Sequence, residues 1–221
     1  MEIPMIDLNL IWDSMPALLH GATISIAITF IAATIGISLG SILGLVESLK
    51  LPVISFCIAL YVALFRGTPM LVQILFIYYV LPQFGISFPP FWAASLAIGL
   101  NSCAYISQMI RSGINAVPIG QIEAAHTLGF TRFKTMRYIV FPQALRTTLP
   151  SLSNEIVTLV KDSSLASIIG VMELTKEASV IRSRTYDAFS ILLAISIIYF
   201  FLTFTISFCL KQIEMRFNKH A

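Results

Sequence analysis

Two polar groups in an oily chain have residue types and spacing that can do chemistry. The first is Glu123-Ala124-Ala125, followed by Gly129, Ile139 and Pro142 and set among Arg132, Lys134, Arg137 and Arg146. Glu123 offers a carboxylate to a partner's arginine or backbone N–H, and the two alanines leave a slim surface that fits a groove. The second is Ser151, Glu155, Thr158 and Asp162, which step by 4, 3 and 4 residues. At 3.6 residues per turn they form one polar stripe on a helix. A charge inside a membrane span costs ~2.5–3.5 kcal/mol on insertion scales and usually faces a cavity or a partner. The stripe is therefore the candidate path for a solute. Pairing of Glu155 or Asp162 with Lys161 or Arg66, or a place near the inner headgroups, accounts for the same charges. Arg66 is a further buried-charge candidate. The Gly67-Thr68-Pro69 that follows it loosens a helix, since proline lacks an N–H and glycine costs order. Exposed backbone groups are tolerated at membrane depth only against protein or a wet cavity.

The elements that hold these groups are apolar. Of 221 residues, 57% are hydrophobic and 11% charged, where a soluble domain carries about 25% charged residues. Residues 21–46, 67–110 and 188–210 contain no Asp, Glu, Lys or Arg. A helix needs roughly 20 apolar residues to cross the hydrocarbon core. The first and last runs are one span each. The middle run is long enough for two, and the proline- and glycine-rich stretch from Pro82 to Pro90 divides it. Leu51 to Phe65 is a lead-in helix to the second span. A more polar span covers about 148–172. The expected fold is an all-α integral membrane protein of about five transmembrane helices, a single domain over 1–221.

Basic residues gather at Arg111 to Arg146 and again at Lys211, Arg216 and Lys219, while Glu2, Asp7 and Asp13 precede the first of them, Lys50. Short cytoplasmic loops are enriched in Lys and Arg. The N-terminus is thus expected outside, and the 113–146 loop and the C-terminus in the cytoplasm. The segment from Glu173 to Asp187 is expected outside although it holds Lys176, Arg182 and Arg184. The N-terminus lacks the basic region of a signal peptide, so the first run reads as a retained span.

The chain has no phosphate loop, no nucleophile–histidine–carboxylate set and no paired aqueous carboxylates, so no catalysis is expected within it. Cys57, Cys103 and Cys209 lie in apolar segments, and His20, His126 and His220 are scattered, which gives neither redox nor metal spacing. A net charge of +3 makes no case for nucleic acid.

Locally, the 113–146 loop predicts two short helices. Pro118 starts the first and Gly129 supplies the left-handed residue that ends it. Thr131 caps the second, which Pro142 interrupts. A solvated linker between spans and a docking site both fit this pattern.

The run from Glu123-Ala124-Ala125 through Gly129 to Ile139, Phe141 and Pro142 closely resembles the EAA loop of permease subunits in ABC importers, with Phe141 where that family has leucine. Phe65-Arg66-Gly67-Thr68-Pro69 with Leu71-Val72-Gln73 resembles the second-span signature of the polar amino-acid branch. Asn101-Ser102 with Ala104-Tyr105, Arg111-Ser112-Gly113 and Lys161-Asp162-Ser163-Ser164-Leu165 also resemble it. The size of the chain and Phe76-Ile77-Tyr78-Tyr79 look most like a glutamine permease.

The resemblance implies a type-1 importer permease fold, with a core over about 17–210 and a cytoplasmic coupling loop at about 113–146. It implies a bacterial inner-membrane protein working with a second permease, identical or homologous, a cytoplasmic ATPase dimer that binds ATP and magnesium, and an extracytoplasmic amino-acid-binding protein. Glu123, Ala124, Ala125 and Gly129 then belong to the ATPase contact. Glu155, Thr158, Ser151 and Arg66 belong to the substrate path, since a zwitterionic amino acid needs an acceptor for its ammonium and a donor for its carboxylate. Glutamine is the favoured cargo, with arginine, histidine or another polar amino acid as alternatives. An ion-coupled carrier often shows two similar halves, and none are visible here. A membrane anchor for a soluble partner would leave the polar stripe unexplained.

Overall fold

The computed structural model describes residues 6–49 and 51–219, with side chains described to Phe217. Glu2, Lys50 and the side chain of Lys219, used above for orientation, lie outside these. Nine α-helices follow one another among the described residues: α1 Leu8–Ser48, α2 Pro52–Gly67, α3 Met70–Leu75, α4 Pro90–Asn115, α5 Ile119–Thr127, α6 Arg132–Thr135, α7 Phe141–Asp162, α8 Leu174–Thr185 and α9 Ala188–Lys219. A π-turn and a 3₁₀ turn extend α3 to Phe84, a π-turn over Met136–Val140 joins α6 to α7, and a 3₁₀ segment, Ser163–Ile169, follows α7.

The charge-free runs become α1, α4 and α9, which are long and apolar enough to cross a membrane. The pair Pro52–Gly67 and Met70–Phe84 qualifies together but is bent by 105°. The expected lead-in helix is thus a separate limb. The break falls at Thr68, whose φ of −120° and ψ of 146° are extended. α7 is not among these apolar helices, because its polar residues interrupt the hydrophobic run. α7 nevertheless packs on α1, α4 and α9.

Three boundaries differ from expectation. α1 has 41 residues, about 60 Å at 1.5 Å per residue, and begins well before residue 21. The polar helix begins at Phe141 rather than near 148. Pro142 does not interrupt the helix. The π-turn before it carries the Phe141 N–H to Met136 O, and the helix continues through the proline.

α1 lies along α4, and small residues permit it. A Cβ on Gly40 would meet Cys103 O and Ile106 Cβ, each at 2.9 Å, and one on Gly44 would meet Ser107 O at 2.6 Å. In a bilayer helices gain little from apolar burial against one another, so such close backbone approach supplies the packing. The main core sits between α1, α3, α4, the end of α7 and the 3₁₀ segment, around Ile28, Ile74, Ile98, Leu159 and Ala166.

α1 also acts as a ruler. Gly21 and Ser25 near one end touch Glu173 and Leu174 at the start of α8. Leu45 near the other end packs with Ile110, Ile122 and Val140, beside α5. From Gly21 to Leu45 is about 36 Å along the helix, so α8 and α5 sit at opposite ends of the bundle. α9 runs the same way as α1: the Asp7 N–H donates to Ser190 Oγ at 2.9 Å. Farther along α9, Lys211 and Glu214 share a cavity with Pro150 and Asn154 of α7.

Candidate functional site

α5 is the docking candidate. It starts after Pro118 and ends in a left-handed cap. Gly129 has φ of 81°, its N–H reaches His126 O at 2.9 Å, and the Phe130 N–H reaches Ala125 O at 3.0 Å. Thr131 caps α6 by accepting from the Lys134 N–H. Glu123 and Ala124 are exposed, whereas Ala125 is buried. The pair of alanines therefore does not form one outward surface. Ala125 lets α5 lie close to its own bundle, and the outward face is Ile119, Glu123, Ala124, Thr127 and Leu128. Ile119 is 69% exposed, Leu128 78% and, on α6, Phe133 75%. Large apolar side chains standing out of a polar loop mark an interaction surface. The face is braced from behind: Gln143 Nε2 donates to Gln121 Oε1 at 2.6 Å, and Ile122 packs with Ile110, Met136 and Val140. α5 is thereby tied to α7, which carries the polar stripe.

That stripe divides between two surfaces. Glu155 is half-buried and accepts from Ser102 Oγ on α4 at 2.8 Å. Asp162 is half-buried too, while Ser151 and Thr158 are exposed. The exposed polar line on α7 is Thr147, Ser151, Asn154, Thr158 and Lys161, one line at helical spacing. A span cannot turn such a line to lipid, where unmet polar groups are costly. Among the described residues neither Glu155 nor Asp162 forms a salt bridge with Lys161 or Arg66.

Arg66 stands at the end of α2. Its guanidinium lies 5.1 Å from the centre of the Tyr105 ring. The helix break beside it is satisfied from within the chain. Gln73 Nε2 donates to Phe65 O at 2.8 Å and to Thr68 Oγ1 at 2.8 Å, and Asn101 Nδ2 donates to Phe65 O at 3.1 Å and to Gln73 Oε1 at 3.0 Å. This gives Gln73 and Asn101 a physical task that their spacing in the sequence did not reveal.

Two further carboxylates are buried in the bundle. Glu47, buried at the end of α1, binds Arg111 and accepts from Gln108 Nε2 at 2.9 Å. Glu173, with no exposed surface, accepts from Ser25 Oγ, Tyr199 Oη and the N–H groups of Thr175 and Lys176 at 2.8–3.2 Å. Each signals itself in the sequence only as an acid beside an apolar run.

The bundle of broken and polar spans, with an exposed helix at one end, has known counterparts. Residues 36–219 match the family described as the binding-protein-dependent transport system inner membrane component. The chain belongs to that family. Among permeases of such systems it is 34% identical to the glutamine transport system permease protein GlnP of Escherichia coli, over 95% of this chain and 97% of that one. It is also 34% identical to the arginine transport system permease protein ArtQ of Bacillus subtilis, over 97% and 99%. A crystal structure of an amino acid ABC transporter with histidines superposes with a TM-score of 0.90 at 39% identity, covering 96% of this chain and 100% of that one. An inward-facing structure of the MetNI methionine ABC transporter, at 21% identity and a TM-score of 0.77, shares the fold. This chain is a permease subunit of an amino acid ABC importer in the bacterial inner membrane, and it has the type-1 permease fold.

Proposed function

We propose that the subunit carries a polar amino acid, glutamine first, along the exposed polar face of α7, driven by ATP hydrolysis on a separate ATPase dimer that docks on α5. The observation that carries this reading is the link between the two sites: α5 is joined through Gln121–Gln143 to the helix that bears Glu155 and the Thr147–Lys161 line. Closure of the ATPase dimer moves α5, and α7 moves with it. Glu123, Ala124 and the exposed Leu128 touch the ATPase, while Ala125 and Gly129 set the position of α5. ATP and magnesium belong to the ATPase.

A polar line exposed on one protomer has its complement in a second permease, identical or homologous, so the path runs between the two. With α5 on the cytoplasmic side, the opposite ends of α1 put the N-terminus and α8 outside, facing the amino-acid-binding protein, and the C-terminus inside. α7 is then the fourth of five crossings in chain order, and 1–221 is one transmembrane domain. Glu155 takes the ammonium of the cargo or a cationic side chain. The likeness to GlnP supports the first reading and the likeness to ArtQ, named for arginine, supports the second as the alternative.

The test is uptake of labelled glutamine, arginine and histidine into proteoliposomes holding this chain, its genomically adjacent ATPase and binding protein, and any second permease encoded with them. ATP-dependent uptake of one amino acid, with Glu155→Gln raising its KM while the ATPase stays bound, supports the reading. ATP-independent flux, or uptake kinetics unchanged by Glu155→Gln, refutes it.

A further inference from the structure

Of the four substrate-path residues, Arg66 and Ser151 meet in one cavity and Glu155 does not line it. The cavity, of about 290 Å³, lies between α4 and α7 beneath the end of α2, and Arg66, Tyr105, Gln108, Ser112, Thr147 and Ser151 are among its lining. Arg66 is the one charged side chain in that lining. Its guanidinium makes no hydrogen bond or ion pair among the described residues, and the hydroxyls of Ser112 and Ser151 make none either. A planar cation with five donors and two free hydroxyls thus converge on a small polar space. That donor set suits a carboxylate, which accepts two parallel N–H bonds from a guanidinium. Among the described residues no carboxylate fills this role. Glu47, across the Arg66–Tyr105 pair in a neighbouring cavity of about 420 Å³, is already bound to Arg111 and Gln108.

The cavity is displaced from Glu155 toward the α5 end. Ser102, the partner of Glu155, precedes Ser112 by ten residues on α4, about 15 Å of rise. On α7, Ser151 and Thr147 lie four and eight residues before Glu155, about 6 and 12 Å. The far side of the cavity, at Thr147 and Ser112, is therefore about 12 to 15 Å along the bundle from Glu155 and its partner Ser102.

We infer that the Arg66 cavity is a second amino-acid site, a release station on the coupling-loop side that holds the α-carboxylate of cargo after it leaves Glu155. The inference rests on the importer reading above. An amino acid accumulated on the ATPase side re-enters this station and slows the next cycle. Arg66 thereby sets how strongly product opposes uptake, whereas Glu155 sets how cargo is first taken.

The complete importer is reconstituted with its ATPase side in the lumen. Initial uptake of labelled glutamine, arginine or histidine, whichever is carried, is measured against increasing unlabelled amino acid preloaded in the lumen. Each variant is referred to its own rate with an empty lumen. Luminal amino acid is expected to inhibit the wild type. Arg66→Gln should raise the half-inhibiting concentration at least tenfold, Arg66→Lys should restore part of the effect, and the same cargo as its α-amide should not inhibit. Ser151→Ala, a smaller change to the fold, should raise that concentration several-fold. Glu155→Gln should change KM for external cargo and leave luminal inhibition in place. Uptake in the wild type with no luminal inhibition, equal inhibition in Arg66→Gln and Ser151→Ala, or equal inhibition by the amide overturns the station alone. Absence of all ATP-dependent uptake overturns the importer reading and the station with it.

Discussion

Replacing Gly36 by alanine should weaken cargo binding without removing a polar atom. A Cβ on Gly36 would lie 2.8 Å from Ser102 Oγ and 3.0 Å from Ser102 Cβ, with Ile106 Cδ1 at 3.3 Å. Contacts under 3.0 Å are not sustained, and the hydroxyl is the group that can turn away. Turning it breaks the 2.8 Å bond to Glu155. A hydrogen bond to a charged group contributes about 1.5–3 kcal/mol, which bounds the effect at roughly 10- to 150-fold on any equilibrium that needs Glu155 in place. Ser102→Ala removes the same bond without the steric cause. Both single variants should raise the KM for uptake by a similar factor, about tenfold. The double variant should be no worse than either, because the bond can be lost only once. The assay is initial uptake rate against cargo concentration in proteoliposomes, with bound ATPase quantified in the same vesicles. Multiplying effects in the double variant, or an unchanged KM in Ser102→Ala, would refute the claim that Ser102 positions Glu155.

Other perturbations reach the coupling loop and the frame. Glu123→Lys and Gly129→Pro should uncouple ATP hydrolysis from uptake while the subunit remains in the membrane, and normal flux in both variants would remove α5 from the ATPase contact. Gly44→Val places a Cβ 2.6 Å from the backbone oxygen of Ser107. Overpacking of this kind costs about 1–3 kcal/mol, so the detergent-solubilised subunit should lose thermal stability, and an unchanged melting midpoint would argue against a tight α1–α4 contact. Glu173→Ala leaves the N–H groups of Thr175 and Lys176 without their acceptor at a buried point, each unmet donor costing about 1–3 kcal/mol, while Ser25 Oγ keeps Gly21 O and Tyr199 Oη turns to Thr175 Oγ1. Hydrogen exchange across Leu174–Thr185 should accelerate, with partial recovery in Glu173→Gln, and unchanged protection would show that Glu173 does not anchor α8.

The long-range frame was readable because it depends on composition and on local turn chemistry. Charge-free runs become α1, α4 and α9, the Pro82–Pro90 stretch becomes a turn with Gly85 at φ of 82°, and Gly129 ends α5 as its position suggested. What escaped depends on partners remote in the chain. The spacing of Ser151, Glu155, Thr158 and Asp162 is right for one stripe, yet a stripe is broad, and Ser102 on α4 draws Glu155 inward while Ser151 and Thr158 stay exposed. Ala125 turns inward because it lies three residues from Ile122, which packs against the cluster of Ile110 and Val140. Pro142 reads as a helix breaker until five-residue hydrogen-bond spacing before it absorbs the missing N–H. The pairing of Arg66 with Tyr105, and the care that Gln73 and Asn101 take of the broken helix, need the fold before they have meaning.

The central claim is that the exposed polar line of α7 lines the transport path. Its most direct test is thiol accessibility in the assembled importer. Cys57, Cys103 and Cys209 would first be replaced, and single cysteines placed at Asn154 and Thr158, with Phe204, 59% exposed on α9, as the lipid-facing control. A membrane-impermeant thiol reagent should label positions 154 and 158, at rates that change when ATP is added and that fall when cargo is present, and should leave position 204 unlabelled. Labelling at 154 and 158 as slow as at 204, in every nucleotide state, would place that face against lipid or protein and contradict the account.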